Sequence, residues 1–277
     1  MKPHAKHNPL PGFNLTMGYT LFYLGIVVFL PLGAMLLQGF TLLTWSEFFR
    51  LLTEPRAVAA YKLSFGAAFV AALINSVFGS ILAWVLVRYH FPGRRLVDAM
   101  VDFPFALPTA VAGLALSNLF SEHGWYGALL KPLGIKVAFT SLGVVVAMTF
   151  VGLPFIVRTL QPVLESWERD TEEAAAMLGA GRFRIFVSVI APSLLPALLT
   201  GFSMAFARGV SEYGSVIFIS NNIPGDGEIA PLLVFKHLEQ YEFAQAIGVA
   251  MVLLIMSFLM LILINLLERR AARFLGQ

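Results

Sequence analysis

The sequence predicts an all-α membrane protein with six transmembrane helices, and three observations lead to that prediction. Hydrophobic residues make up 58% of the 277 residues, and charged residues make up only 13%. A soluble domain carries about 25% charged residues, so a soluble globule of this length could not cover its own surface. Six stretches lack Asp, Glu, Lys and Arg over the roughly 20 residues that a helix needs to cross a bilayer. Lys and Arg are also divided unequally between alternate loops.

The six charge-free stretches define the expected spans. They are residues 17–37, 63–87, 103–121, 137–157, 185–207 and 243–267. Pro104 and Pro108 break the third stretch, which is the weakest of the six. The first is too long for the apolar part of a signal peptide, so we expect it to remain as a transmembrane helix. We therefore expect one domain over residues 17–267, between tails at residues 1–16 and 268–277.

The basic residues predict the orientation of the chain. The termini and one set of alternate loops hold twelve Lys and Arg residues, and the other loops hold six. Loops rich in Lys and Arg remain in the cytoplasm, so we expect both tails there. The same rule accounts for the net charge of +3. No run of Lys and Arg exceeds two residues, so no nucleic-acid partner is expected.

Three segments of the opposite loops have compositions of their own. Residues 41–52 interleave aromatic residues with Glu47 and Arg50, which favours a short helix lying in the membrane interface. Trp125 and Tyr126 follow the third stretch, where aromatic belts occur. Residues 221–227 (NNIPGDG) are turn-forming and predict an exposed loop.

Several classes of function are disfavoured by what the sequence lacks. There is no cysteine, and the five histidines have no metal-ligand spacing, so no metal site is expected. No G-x-x-x-x-G-K-[ST] loop is present to bind ATP phosphates in the usual way. A membrane-embedded enzyme would need convergent catalytic groups, which are missing. A proton-coupled transporter would favour Asp, Glu or His in the spans, and the six stretches contain none.

The loop between the fourth and fifth stretches predicts a short helix. Asp170 and Glu173 have the spacing of a capping box, and three alanines after them favour helix propagation. Gly179 is placed to end the helix. Met177 and Leu178 are then exposed apolar side chains at its tip, which suits a groove in a partner. The alternative is an ordinary connecting loop with a local helix, and the physics alone leaves the two nearly even.

The same loop resembles the signature loop of ABC importer permeases. The pattern E-A-A, three residues, G, nine residues, an aliphatic residue, two residues, P is matched by Glu173-Ala174-Ala175, Gly179, Val189 and Pro192. The resemblance implies the type I ABC importer permease fold, with a coupling loop over residues 165–192 that docks into an ATPase subunit. The residues it implies for this coupling are Glu172, Glu173, Ala174, Ala175, Met177, Leu178, Gly179, Ala180 and Pro192.

Two further regions make the resemblance more specific. Residues 107–113 (LPTAVAG) are similar to sulfate and molybdate permeases. Residues 206–220 (FARGVSEYGSVIFIS), 222–224, 228–233 (EIAPLL) and 238–241 resemble the T-type permease of sulfate/thiosulfate importers. Ser211 departs from that pattern, which usually has glycine there. A molybdate or tungstate permease is the alternative within the class, and a structural membrane scaffold fits the motif least.

The resemblance implies a complex rather than a lone subunit. The expected partners are two ABC ATPase subunits, a homologous second permease, a periplasmic sulfate/thiosulfate-binding protein and the lipid of a bacterial inner membrane. ATP and magnesium would bind the ATPase subunits, and no cofactor is expected on this chain. The chain is then a transport subunit without enzymatic activity of its own.

Two groups of residues are candidates for the pathway or its gate. They are Pro104, Pro108, Thr109 and Gly113 in the third stretch, and Arg208 and Glu212 near the end of the fifth. Arg208 could provide positive potential along an anion pathway, or it could pair with Glu212 at i,i+4 so that both charges are neutralised. The broken third stretch could be a flexible gate, or its prolines could form a plain kink.

Overall fold

The computed structural model of the chain describes residues 12–167 and 170–274, with the side chains of 267–269 and 271–274 outside that description. Within these ranges every regular element is a helix. Most of the predicted amino-terminal tail, residues 275–277 of the predicted carboxy-terminal tail, and Glu168 and Arg169 of the predicted coupling loop lie outside the described residues. The predicted all-α fold is confirmed for the rest.

Thirteen α-helices follow one another along the described chain, with a 3-10 helix at Lys131–Leu133 after the seventh. They are α1 (Phe13–Leu42), α2 (Trp45–Thr53), α3 (Pro55–Arg88), α4 (Arg94–Val101), α5 (Phe103–Ala106), α6 (Thr109–Phe120), α7 (Trp125–Leu130), α8 (Ser141–Glu165), α9 (Asp170–Met177), α10 (Arg182–Val210), α11 (Val216–Ile219), α12 (Ala230–Glu239) and α13 (Phe243–Phe274). Short π-helical turns lie within α1 at Gly25–Phe29 and within α10 at Phe186–Ile190.

Five of these helices are long and apolar enough to cross a membrane. They are α1, α3, α8, α10 and residues Phe243–Leu266 of α13. They coincide with five of the six predicted spans, although most extend further than the charge-free stretches. α3, for example, has 34 residues and ends at Arg88. α8 instead begins at Ser141, four positions after the predicted start at residue 137, because Phe139 has a positive φ of 61° and Thr140 is extended.

The predicted third span, residues 103–121, is not one continuous helix, as its prolines indicated. Leu107 and Pro108 are not helical, with ψ near 135° and 131°, and they separate α5 from α6. A proline disfavours the helical conformation at the residue before it, which accounts for the break at Leu107. Pro104 does not break the chain, because it occupies the first turn of α5, where proline is tolerated. α6 has 12 residues, so its length of about 18 Å is short of the hydrocarbon thickness.

The core of the fold is the contact between α3, α8 and α10. Small residues allow these helices to approach closely: a Cβ added to Gly209 would lie 3.0 Å from the Cβ of Ala68, and one added to Gly152 would lie 2.7 Å from the side-chain nitrogen of Asn75. Asn75 is buried and donates a hydrogen bond of 3.0 Å to the backbone oxygen of Thr149. Packing of small residues and an interhelical hydrogen bond are the means by which helices associate in lipid.

The long helices are buried to very different degrees. Half of the apolar window of α8 is buried inside the chain, compared with 11% for α10 and none for α1. α1 and α10 therefore present long apolar faces that the chain itself does not cover. Lipid or another membrane subunit must cover such faces, because exposed apolar surface of this extent is unfavourable in water.

The short helix predicted near residues 41–52 is present as α2. Thr44 caps it: the backbone nitrogen of Glu47 donates to the Thr44 hydroxyl at 3.4 Å, and Glu47 Oε2 accepts from the Thr44 backbone nitrogen at 2.9 Å. This reciprocal pair is a capping box. Leu51 is buried on the inner side of α2, whereas Trp45 and Phe49 are exposed. The predicted position of α2 in the membrane interface remains a prediction.

A substitution at Gly113 tests how α6, in the broken third span, packs against the turn that contains Ser215. A Cβ added there would lie 2.4 Å from the backbone oxygen of Ser215, so we expect Gly113→Ala to reduce the free energy of unfolding by about 1–3 kcal/mol through overpacking. The measurement is the thermal unfolding midpoint of the purified protein in detergent. Gly66→Ala is the control, because the added Cβ would meet no other part of the chain within 4 Å beyond its own helical turn. An unchanged midpoint for Gly113→Ala would contradict this packing.

Candidate docking segment and charged clusters

The predicted docking segment is centred on α9, at residues Asp170–Met177. Asp170 is the first described residue of the helix, and Glu168 and Arg169 before it lie outside the described residues, so the predicted capping box stays a prediction. Asp170, Glu172 and Glu173 all lie in the first turn. Carboxylates in that turn complement the positive end of the helix dipole, so the acidic start still stabilises α9.

Gly179 ends α9 as predicted. It adopts a positive φ of 83°, a conformation that glycine adopts at no steric cost. Its backbone nitrogen donates to the oxygen of Ala176 at 2.9 Å, and that of Ala180 donates to the oxygen of Ala175 at 3.1 Å. These two bonds form a Schellman motif, which satisfies backbone oxygens at the end of the helix and reverses the chain.

The tip of α9 is apolar and exposed. Met177 and Leu178 each expose 89% of their surface, and Phe183, after the reversal, exposes 82%. An isolated exposed apolar residue needs no explanation, but three at one reversal are typical of an interaction site. Pro192, which the motif also includes, lies instead within α10 and is half-buried. The residues of the ABC permease motif are therefore divided between the exposed tip of α9 and Pro192 inside α10.

An ion pair that the sequence did not predict holds α9 against the bundle. The Arg88 guanidinium, at the end of α3, donates to Glu172 Oε1, and it lies 5.0 Å from the centre of the Trp84 ring. The Arg88 side chain is only 11% exposed. The two adjacent glutamates thus differ: Glu172 is directed inward to Arg88, whereas Glu173 is exposed.

Arg208 and Glu212 form the i,i+4 pair that one interpretation of the sequence predicted. Arg208 Nη1 lies 2.6 Å from Glu212 Oε2. Glu212 is only 1% exposed, and its Oε1 accepts from the Ser215 backbone nitrogen at 2.9 Å and hydroxyl at 2.8 Å. The carboxylate therefore also stabilises the turn that follows α10. Ser211 has a negative φ of −85°, so the glycine usual in the resembling group is not required there.

Four of the six candidate pathway residues meet at this turn. A Cβ added to Gly214 would lie 2.1 Å from Thr109 Oγ1, and one added to Gly113 would lie 2.4 Å from the Ser215 oxygen. Thr109 and Gly113 thus bring α6 against the turn that contains Glu212. Pro104 is not part of this group, because it is buried in α5, which packs on α8. Pro108 is exposed at the break before α6.

A second buried carboxylate organises the segment before α12. Glu228 accepts from Arg56 Nε at 2.7 Å, from Arg56 Nη2 at 2.8 Å and from Lys236 Nζ at 2.7 Å. Lys236 also donates to the backbone oxygen of Asn222 at 3.0 Å. Burial favours the neutral acid, but the hydrogen bonds and charges of Arg56 and Lys236 outweigh it and keep the pKa of Glu228 below its usual value. No sequence signal joins residues 56 and 228, so this cluster was not predicted.

The charged side chains do not assemble into a metal site: within the described ranges, no three His, Asp or Glu residues are grouped to hold an ion. The charged groups described above instead pair with each other. They position helices and loops, and nothing in their geometry indicates bond-breaking chemistry.

Comparisons with known proteins agree with this geometry. The profile of the family described as "Binding-protein-dependent transport system inner membrane component" matches residues 75–273. The sulfate transport system permease protein CysT of Escherichia coli (strain K12) is 46% identical over 95% of each chain. A probable sulfate transport system permease protein of Nephroselmis olivacea is 51% identical over 93% of this chain and 90% of its own length.

Solved structures have the same fold. A bacterial ABC transporter involved in the import of the acidic polysaccharide alginate superposes with a TM-score of 0.73 over 93% of this chain and 94% of its own, at 12% identity. An amino acid ABC transporter superposes with a TM-score of 0.54 over 80% of this chain and 98% of its own, at 18% identity. At such identities the likeness concerns the fold alone.

The Glu228 cluster can be tested by removing its negative charge. We expect Glu228→Gln to lower the free energy of unfolding by roughly 1–3 kcal/mol at neutral pH, because Arg56 and Lys236 lose their shared carboxylate. The loss is limited because both side chains remain partly exposed to water. The pKa of Glu228 in the folded state is lowered from 4.5, so its contribution is complete above pH 4.5 and is lost as the pH falls through the lowered value.

The difference in thermal midpoint between wild type and Glu228→Gln should therefore shrink below pH 4.5. Glu122→Gln is the control, because Glu122 is half-exposed and pairs with Lys131 only loosely, at 3.5 Å. That variant should melt like the wild type at every pH. A difference for Glu228→Gln that stays constant across the acid range would contradict the assignment.

Proposed function

Because the chain belongs to the family of binding-protein-dependent transport system inner membrane components, we propose that it is the permease subunit of an ATP-driven importer for sulfate and thiosulfate. It would form the translocation pathway across the bacterial inner membrane and work by alternating access. The chain is a transport subunit and not an enzyme. The choice of sulfate rests on the named function of its relatives, and the mechanism rests on one observation, the exposed apolar tip of α9.

The tip of α9 has the features of a docking element for an ATPase subunit. Met177 and Leu178 project from a helix that the Gly179 reversal ends and that Arg88 holds to α3. An apolar tip of this kind binds in a groove of a partner. The complex would contain two ATPase subunits, which would hold ATP and magnesium, and one of them is the proposed partner at this surface. Both termini are then cytoplasmic, as the distribution of Lys and Arg indicates.

The remaining partners follow from the uncovered faces of the chain. A homologous second permease would cover part of the apolar surface of α1 and α10, and lipid would cover the rest. A periplasmic binding protein would deliver the anion to the opposite side, where residues 223–226 of the predicted loop are exposed between α11 and α12. The chain itself would bind no cofactor.

Uptake of labelled sulfate by the reconstituted complex tests the proposal. The complex contains this chain, its second permease, the ATPase and the binding protein in proteoliposomes. We expect uptake that requires both ATP and the binding protein and that thiosulfate inhibits. If molybdate or tungstate competed at comparable concentration, the importer would belong to the molybdate class instead.

The same assay tests the docking segment. Gly179→Asp should abolish uptake while the protein remains inserted, because a residue other than glycine is strained at φ 83° and the tip is redirected. Gly181→Asp is the matched control: it adds the same charge two positions later, where φ is −69° and aspartate is a favourable cap of α10. Co-purification of the ATPase is measured beside uptake. Normal uptake by Gly179→Asp would place the docking surface elsewhere.

The role of Arg208 requires a double variant. Arg208→Gln alone leaves the buried Glu212 carboxylate unpaired and should destabilise the protein by about 3–5 kcal/mol. Arg208→Gln with Glu212→Gln removes both charges and leaves an amide that can still accept from Ser215. We expect this double variant to assemble and to transport sulfate at the wild-type rate, because the pair is neutral overall. An assembled double variant without uptake would instead show that the anion pathway needs the Arg208 charge.

A further inference from the structure

Arg158 makes the most extensive set of side-chain contacts in the described part of the chain. Its Nε and Nη2 donate to the two carboxylate oxygens of Asp102 at 2.8 and 2.6 Å. Its Nη1 donates to Asp98 Oδ1 at 2.7 Å and to Gln161 Oε1 at 2.6 Å, and Nη2 also donates to the backbone oxygen of Asp98 at 2.9 Å. All five N–H donors of the guanidinium are therefore in use.

These contacts join two parts of the chain that are distant in sequence. Arg158 and Gln161 belong to α8, about two turns before that helix ends at Glu165, and α9 begins shortly after. Asp98 belongs to α4, and Asp102 is the residue between α4 and α5. Arg158 thus fastens the helix that leads into the docking segment to the start of the broken third span.

The broken span continues from this point to the turn after α10. After Asp102 come α5, the break at Leu107 and Pro108, and then α6. α6 meets the Ser215 backbone through Gly113, next to the buried Glu212. The segment from Asp102 through α6 therefore connects α8 with that turn, and in the described residues Arg158 makes the only ion pairs between α8 and this segment or α4. Gln161 Nε2 also donates to Asp98 Oδ1, at 2.9 Å.

The exposure of the cluster indicates that it does not serve mainly for stability. The side chains of Arg158, Asp98 and Asp102 are 33%, 42% and 50% exposed. Ion pairs that are this exposed add little to the free energy of unfolding. A guanidinium whose donors are all hydrogen-bonded instead fixes the orientation of α8 relative to α4. Its planar group binds a carboxylate through two nitrogens at once, which the lysine ammonium cannot do.

We propose that Arg158 is a positioning residue of the transport cycle, which transmits the displacement of α8 and α9 by the ATPase to the broken span α4–α6. The proposal rests on the proposed function, because it requires an ATPase docked at the tip of α9. α9 is then held at two points: Glu172 binds it to α3 through Arg88, and α8 links it to α4 through Arg158. Loss of the second contact would leave docking and ATP hydrolysis in place but weaken their connection to transport.

The test is the number of sulfate ions transported per ATP hydrolysed by the reconstituted complex. Arg158→Lys keeps the charge but loses the fork, and Asp102→Asn removes the opposing carboxylate without changing Arg158. We expect both variants to assemble with wild-type thermal midpoints and binding-protein-stimulated ATP hydrolysis. We expect their transport per ATP to fall by at least about fivefold, the low end of measured coupling between sites.

Arg95→Lys is the matched control, because Arg95 lies on α4 but is exposed and makes none of these contacts. It should transport as the wild type does. The proposal is overturned if Arg158→Lys and Asp102→Asn keep the wild-type ratio, or if uptake and hydrolysis fall together in proportion to the assembled complex. A wild-type complex that hydrolyses ATP but takes up no sulfate would instead contradict the proposed function.

Discussion

The fold depends on how closely three helix backbones approach each other in an apolar solvent. Lipid tails are as apolar as the side chains, so moving an apolar side chain from lipid to a neighbouring helix gives little free energy. Helix association therefore relies on close packing and interhelical hydrogen bonds. Gly152, Gly209 and Ala68 provide the close contacts between α3, α8 and α10, and Asn75 provides the polar one. The other elements are arranged around this core. Of the five apolar windows only that of α8 is half buried, and that of α1 contains no buried residue, as expected of a subunit that is completed by partners.

Charged side chains act at the ends of this core and not within it. Glu212 and Glu228 are both almost fully buried, and each accepts several hydrogen bonds that compensate for the loss of water. Each carboxylate adds polar contacts to an irregular segment: the turn after α10 in one case and the approach to α12 in the other. Removing one partner from such a cluster costs much more than the cluster contributes, so these residues determine local geometry more than overall stability.

The sequence predicted features that depend on neighbouring residues. The absence of charge over about 20 residues identified five long helices. A glycine directly after a short helical pattern predicted the helix end at Gly179, where the chain adopts a positive φ. The division of the third span at Leu107 follows from Pro108, although only the structure shows that Pro104 leaves the helix intact. The sequence could not predict the Arg56–Glu228 and Arg158–Asp102 pairs, which bring together residues far apart in the chain. Such contacts depend on the way the helices pack, and one sequence contains no record of that packing.

The proposed docking segment would serve two requirements with one short motif. A surface that receives force from a partner must expose apolar groups, yet it must also be held firmly to the helices that move with it. Glu172 and Glu173 are adjacent and lie on different sides of α9: the first binds Arg88, and the second remains exposed. Met177 and Leu178 provide the exposed groups, and Gly179 closes the helix directly behind them. In the proposed cycle, a longer or uncapped helix would let the tip move independently of α3, and displacement of the tip would then not reach the broken third span.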